Sequence, residues 1–178
     1  MMQAALSEDN AELGPVLVDP SPETQEVAKA NLFAFSDEGW ARNATLEGAE
    51  NLVAVTRIPR TRECFGWMRF TGEELLRRVP TRLLPPPIEV ARVKRFIDKH
   101  ATYTAVVYEF VETGPDDPDA AQAVLDFLWR VGFAHVPVTK ADNWEGGVLL
   151  DHSDIVHCNG HGWDTRLFGY RRVDQILC

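Results

Sequence analysis

The sequence predicts an α+β fold built on an antiparallel sheet. Three observations carry this reading. Residues 51–58 (NLVAVTRI) and 63–70 (ECFGWMRF) are rich in β-branched and aromatic side chains. Residues 103–111 (YTAVVYEFV) form a nearly continuous apolar run. Helix-start chemistry stands at Thr71 and at Asp116-Asp117-Pro118-Asp119.

Residues 1–22 are acidic, poor in aromatics and punctuated by prolines, so the reading assigns them to a flexible acidic tail and 23–178 to a single domain. Residues 23–35 offer a partial helical face through Val27, Ala30, Leu32 and Phe33. Pro59-Arg60-Thr61-Arg62 is the expected connection of a hairpin between 51–58 and 63–70. Thr71 with Glu74 three residues on forms a capping box and starts a helix over 71–79. Pro80 and Pro85-Pro86-Pro87 force an extended passage. Residues 88–100 read as a helix or a strand. The run at 103–111 is expected to be a central, well-buried strand. Carboxylates and Pro118 start a helix over 118–131, whose Ala121, Val124, Leu125, Leu128 and Trp129 recur at helical spacing before Gly132 stops it. Residues 147–150 and 155–156 are short strand candidates.

With 178 residues, 45% hydrophobic and 25% charged, the chain can bury a core. No window approaches the roughly 18 to 20 apolar residues of a membrane span, and the N-terminus lacks a secretory pattern, so the cytoplasm or nucleus is expected. Cys64, Cys158 and Cys178 are too scattered for a disulfide framework, and reduced thiols follow. Residues 1–50 hold ten acids and two bases, 51–100 five acids and eleven bases, and 101–178 twelve acids and five bases. The basic third is expected to pair with its acidic neighbours, and the net charge of −9 makes nucleic acid an unfavourable partner.

The densest polar stretch is residues 142–163, with Asp142, Asp151, Asp154, His152, His157, His161 and Cys158. His157 and His161 have the spacing of one helical turn, as in a zinc site, yet the intervening Cys-Asn-Gly favours a turn. They remain weak metal candidates, and neither a metal nor a cofactor is expected. Asp151 beside His152 and Asp154 near His157 also read as an acid beside a base, without a nucleophile elbow such as GxSxG. There is no Walker phosphate loop and no GxGxxG.

The order of elements, with Trp67-Met68-Arg69-Phe70, Glu73 and Glu74, the acidic end of 106–112 and the run Gly147 to Asp151, resembles the small lobe and hinge of a protein-kinase-like fold. More narrowly, Phe127 to Phe133, Asn143 to Asp151 and Ser153 to Val156 resemble a group of uncharacterised filamentous-fungal kinase-like proteins, some labelled similar to a subunit of the kinetochore Sim4 complex. The resemblance implies a reduced kinase-like fold with a truncated helical part. It puts either Asp142 at the catalytic base or Asp151 at the magnesium ligand, and in neither register is the set complete. It also puts Arg69 where the ATP-pairing lysine stands, and 27 residues after Asp151 are too few for a helical large lobe. A pseudokinase without kinase activity is what it implies.

Two functions compete. The first is a non-catalytic binding or scaffolding module for a protein partner, with Arg69, Glu74, Asp142, Trp144 and Trp163 as candidate ligand contacts and a small-molecule ligand compatible with them. Core packing is nevertheless expected for Trp67 and Trp129. The alternative is a small lyase, isomerase or cyclase using Asp151, His152, Asp154 and His157 in a cleft. Convergence of those four side chains on a pocket would favour the enzyme.

Overall fold

The computed structural model describes residues 15–43, 51–136, 141–160 and 169–177. Helix and strand are mixed, and every strand pairing is antiparallel. Contacts gather into two compact units. The first holds the described residues up to Arg62 and those from Val111 onward, and the second is Glu63–Phe110.

In the first unit, β1 (Val16–Val18) pairs with β2 (Val53–Val55). Val16 and Val18 are buried with Val55, Phe35, Phe127 and Val131 in one apolar cluster. The segment read as a flexible tail therefore contributes a core strand; its first fourteen residues lie outside the described ones. The apolar triplet Val-Leu-Val, with its first and third side chains on one face, is what docks it.

Helix α1 (Gln25–Phe33) is capped by the Thr24 hydroxyl, which accepts from the Val27 amide at 3.3 Å. Helix α2 (Asp37–Asn43) follows. Buried Asn31 ties three segments together: its Nδ2 donates to the Asp19 carbonyl at 2.9 Å and to the Arg130 carbonyl at 2.7 Å, and its Oδ1 accepts from the Asp19 amide at 2.9 Å.

Among the described residues α3 (Gly72–Arg78) belongs to the second unit and α4 (Pro118–Arg130) to the first. Asp117 caps α4 through the Ala120 amide at 3.0 Å, and Pro118 occupies the first turn, as the sequence predicts. Ala121, Val124 and Leu125 pack with Trp144, Leu149 and Ile176, while Phe127 faces the β1 valines. Gly132 ends the helix at φ 88°, where a side chain would also strike the Ala28 carbonyl of α1.

The second unit is a ribbon of β3 (Cys64–Thr71) and β6 (Thr102–Tyr108), in register at Met68↔Ala105 and Thr71↔Thr102, with a bulge between Cys64 and Gly66. Helix α3 leaves β3 through the expected capping box: the Thr71 hydroxyl accepts from the Glu74 amide, and the Glu74 carboxylate accepts from the Thr71 amide at 2.8 Å. Residues 88–100, whose sequence suits a helix or a strand, contain a hairpin of β4 (Ile88–Val90) and β5 (Val93–Arg95).

Three expectations differ from the structure. Residues 51–58 do not form a hairpin with 63–70, because β2 pairs with β1 instead. The 103–111 run is not buried: Val106 is 54% exposed and Phe110 85%. A continuous apolar strand is buried only when layers cover both of its faces, and within this unit the two-stranded ribbon and the β4–β5 hairpin leave their apolar side chains exposed, Val93 at 59% among them. Trp67, expected in the core, is 66% exposed.

These packings predict opposite responses to truncation. Phe127→Ala, in the cluster joining α4 to β1, is expected to lower unfolding free energy by about 3 to 5 kcal/mol. Trp67→Ala is expected to change it by no more than about 0.5 kcal/mol. Urea unfolding of the two variants beside the parent chain checks this; comparable losses would contradict the burial difference.

Candidate functional site

The described part of the polar stretch, residues 142–160, is made of short strands and turns. Here β8 (Trp144–Glu145) pairs with β9 (Val148–Leu149) across Gly146-Gly147. Gly147 adopts φ 78°, and a Cβ there would meet Ala120 Cβ at 2.7 Å, so the turn lies against the start of α4. Strand β7 (Phe133–His135) pairs with β10 (Ile155–His157), which brings the end of the stretch alongside.

Within this frame the candidate residues separate. Asp142 is exposed in a 3₁₀ turn, Ala141–Asn143. Asp151 caps the next turn, its Oδ1 accepting from the Ser153 amide at 2.9 Å. His152 is exposed. Asp154 is buried, and its Oδ2 accepts from Asn143 Nδ2 at 2.8 Å. His157 is exposed, and its Nδ1 accepts from the Asn159 amide at 3.1 Å, while the Gly160 amide closes the turn on the His157 carbonyl at 2.7 Å. Cys158 is fully buried, its carbonyl accepting from Gln25 Nε2 at 2.6 Å; burial pushes its thiol above the usual range, which opposes a nucleophilic role. His161 and Trp163 lie outside the described residues. Among the described residues no group of three or more His, Cys, Asp or Glu side chains is placed to hold a metal ion.

One polar cluster has no local signature in the sequence. His135 is 4% exposed and stacks on Trp144 with ring centroids 6.2 Å apart. Neither imidazole nitrogen, nor Trp144 Nε1, has a hydrogen-bond partner among the described residues. Burial lowers the His135 pKa from 6.5 to about 4; Asp154 pulls it up and Arg171 pushes it further down. The imidazole is therefore neutral at pH 7.

A cleft of about 700 Å³ lies in the first unit. Arg57, Arg60, Arg130, Asp117 and Asp126 line it over Phe127 and Val148, and Asp151, His152, Asp154 and His157 are not among its lining residues. Asp117 is occupied as a helix cap, and Asp126 accepts from Gln122 Nε2 at 2.8 Å and from the Tyr170 hydroxyl at 2.9 Å. The four residues of the enzyme alternative thus do not converge on it.

The second unit presents a different kind of surface. Alternation along β3 and β6 places Trp67, Arg69, Thr104, Val106 and Tyr108 on one face. The Arg69 guanidinium carbon lies 5.4 Å from the Trp67 ring centroid, a cation–π arrangement. Glu74 does not join it: its carboxylate is held by the Thr71 amide and, at 3.1 Å, by the Thr71 hydroxyl, and these bonds lower its pKa. Phe70 and Tyr103 stack on the opposite face at 6.1 Å. Among the described residues, thirteen of the fifteen large apolar side chains that are exposed belong to Glu63–Phe110. The chain matches no family model, no curated protein and no solved structure. No helix among the described residues is long and apolar enough to cross a membrane.

The buried imidazole predicts a pH dependence. Its folded pKa lies below its unfolded one, so the unfolded state binds the proton first and stability falls as pH drops from about 6.5 towards 4. Between about pH 7.5 and about pH 5 the loss due to His135 is expected to be about 2 kcal/mol. Urea unfolding of the parent chain and His135→Phe at both pH values checks this; identical pH slopes would contradict it.

Proposed function

We propose that the chain is a non-catalytic binding module that engages a protein partner through the Trp67–Arg69–Val106–Tyr108 face of the β3–β6 ribbon. The observation that carries the reading is the exposure of that face, with Trp67 at 66% and Val106 at 54%. Monomeric soluble proteins rarely leave apolar patches beyond about 300 to 600 Å² uncovered, and large aromatic side chains expose on the order of 100 Å² each at such fractions. Tryptophan, tyrosine and arginine are also the residue types that dominate binding energy at interfaces.

Charge supports a protein partner over nucleic acid. Glu63–Phe110 holds eight bases and six acids, a net +2, while the rest of the chain holds ten bases and twenty-one acids. A mildly basic, aromatic face suits an apolar protein surface rimmed by carboxylates. The reading extends the kinase-like resemblance as a pseudokinase: the phosphate loop is missing from the sequence, Arg69 stacks on Trp67, and Glu74 serves a helix cap. Reduced cysteines and the absence of a membrane-length helix among the described residues fit a cytoplasmic or nuclear site of action. The enzyme alternative has less support, since Asp151 and His157 bind backbone amides of their own turns.

The test is affinity capture from an extract of the source cells with the full chain as bait, parent against Trp67→Ala/Arg69→Glu. Proteins held by the parent are expected to lose at least about 30-fold in affinity for the double variant, with its circular dichroism unchanged. Retention of the same proteins at the same affinity would overturn the assignment to this face.

A further inference from the structure

The binding role proposed for the ribbon makes no use of the cleft in the first unit, whose lining has the make-up of a ligand site. At about 700 Å³ it falls within the roughly 300 to 1,000 Å³ that small-molecule sites occupy. All of its described lining lies in one unit. The buried side chains of Val55, Phe127 and Val148 supply an apolar floor. Along α4 the cleft is lined by Ala120, Ala123, Phe127 and Arg130, whose spacings of three, four and three residues put them on one helical face. Alanine at the first two positions leaves that half of the face without a long side chain, and the turn glycines Gly146 and Gly147 add a wall with none.

Its charges are not balanced. Among the described residues Arg57, Arg60 and Arg130 line it together with Asp117 and Asp126. Both carboxylates are already engaged: Asp117 accepts from the Ala120 amide at 3.0 Å, and Asp126 accepts from Gln122 Nε2 at 2.8 Å and from the Tyr170 hydroxyl at 2.9 Å. Arg60 has interactions of its own within the chain, so the argument for a ligand rests on the other two arginines. No hydrogen bond or ion pair holds the guanidinium of Arg57 or of Arg130 among the described residues, although the chain carries a net charge of −9. A guanidinium offers a planar fork of donors that matches a carboxylate or a phosphate.

We propose that this cleft binds a small amphipathic monocarboxylate, its carboxylate on Arg57 and Arg130 and its apolar body over Val55, Phe127 and Val148. The floor selects for the apolar body, because polar groups placed on it would lose water without gaining hydrogen bonds. The charge count selects for a single negative charge. Three guanidiniums against two carboxylates leave an excess of one positive charge, and a second negative charge on the ligand would meet Asp117 and Asp126 uncompensated. A phosphate monoester, with about −1.5 to −2 charges at pH 7, is disfavoured on that ground. The cleft belongs to the first unit and the protein-binding face to the second, so the two readings fail separately.

Titration of the ¹⁵N-labelled full chain with octanoate, followed by amide chemical shifts, tests the proposal. Saturable shifts are expected at Ala120, Ala123 and Gly147, with Kd on the order of 0.1 to 1 mM for so small a probe. Octanamide, which keeps the apolar body and lacks the charge, and octyl phosphate, which carries the second charge, are each expected to bind at least about tenfold more weakly. Arg57→Gln/Arg130→Gln is expected to weaken octanoate at least about tenfold. Ala123→Trp, at an exposed helix position, is expected to abolish binding by filling the cleft. Trp67→Ala/Arg69→Glu is expected to leave it unchanged. Absence of saturable shifts in the parent below about 10 mM octanoate overturns the proposal. So does octanoate binding undiminished in the folded arginine variant, binding lost only in the ribbon-face variant, or a preference for octyl phosphate.

Discussion

A two-stranded ribbon has too little area to bury its own side chains, and this constraint governs the second unit. In Glu63–Phe110 only Gly72 is buried, although the segment contains Phe65, Trp67, Met68, Ile88, Phe96, Val106 and Phe110. What holds the segment together is local. The β3–β6 ladder, the Thr71–Glu74 capping box and the Tyr103 hydroxyl, which accepts from the Asp98 amide at 2.7 Å, specify its backbone without a hydrophobic core. Apolar surface of that extent is stabilised when another surface removes it from water, at roughly 25 cal/mol per Å². The binding role proposed for the ribbon is the consequence.

The first unit follows the opposite logic. Helix α4 buries Ala121, Val124 and Leu125 in one cluster and Phe127 in another, and Leu128 packs against both. Asn31 joins the end of this helix to the chain after β1. In the Asp142–Gly160 region the polar groups satisfy backbone amides and each other, as Asp151, Asp154 and His157 illustrate. A carboxylate engaged in capping a turn is poorly placed for proton transfer to a substrate, which needs a hydrogen bond to the reacting group.

Local chemistry was legible in the sequence, and long-range pairing was not. The capping box at Thr71, the Asp-Pro start at 117–118 and the stop at Gly132 each depend on residues within four positions, and all appear as read. The partner of β2 was hidden because it is Val16-Leu17-Val18, three apolar residues inside an acidic, proline-bearing segment. The burial of 103–111 was misread because an apolar run reports a strand's preference and not the layers available to cover it. Trp67 followed the same error. His135 carried no signal, since a single histidine after Phe133-Ala134 has no spacing that distinguishes a buried imidazole from a surface one. The turn at 157–160 was legible through Asn159-Gly160.

The proposed binding role makes the ribbon dependent on an external surface that the first unit does not need. Amide hydrogen exchange of the full chain in dilute solution measures this directly, because protection reports the local free energy of opening. The paired amides of Ala105 and Val107 are expected to exchange at least about 100-fold faster than those of Leu125 and Leu128, corresponding to about 3 kcal/mol of lower local stability. This gap is expected to narrow as a bound protein covers the ribbon. Equal protection of the two sets in the dilute chain would show that Glu63–Phe110 is stable without a covering surface, and would contradict its dependence on one.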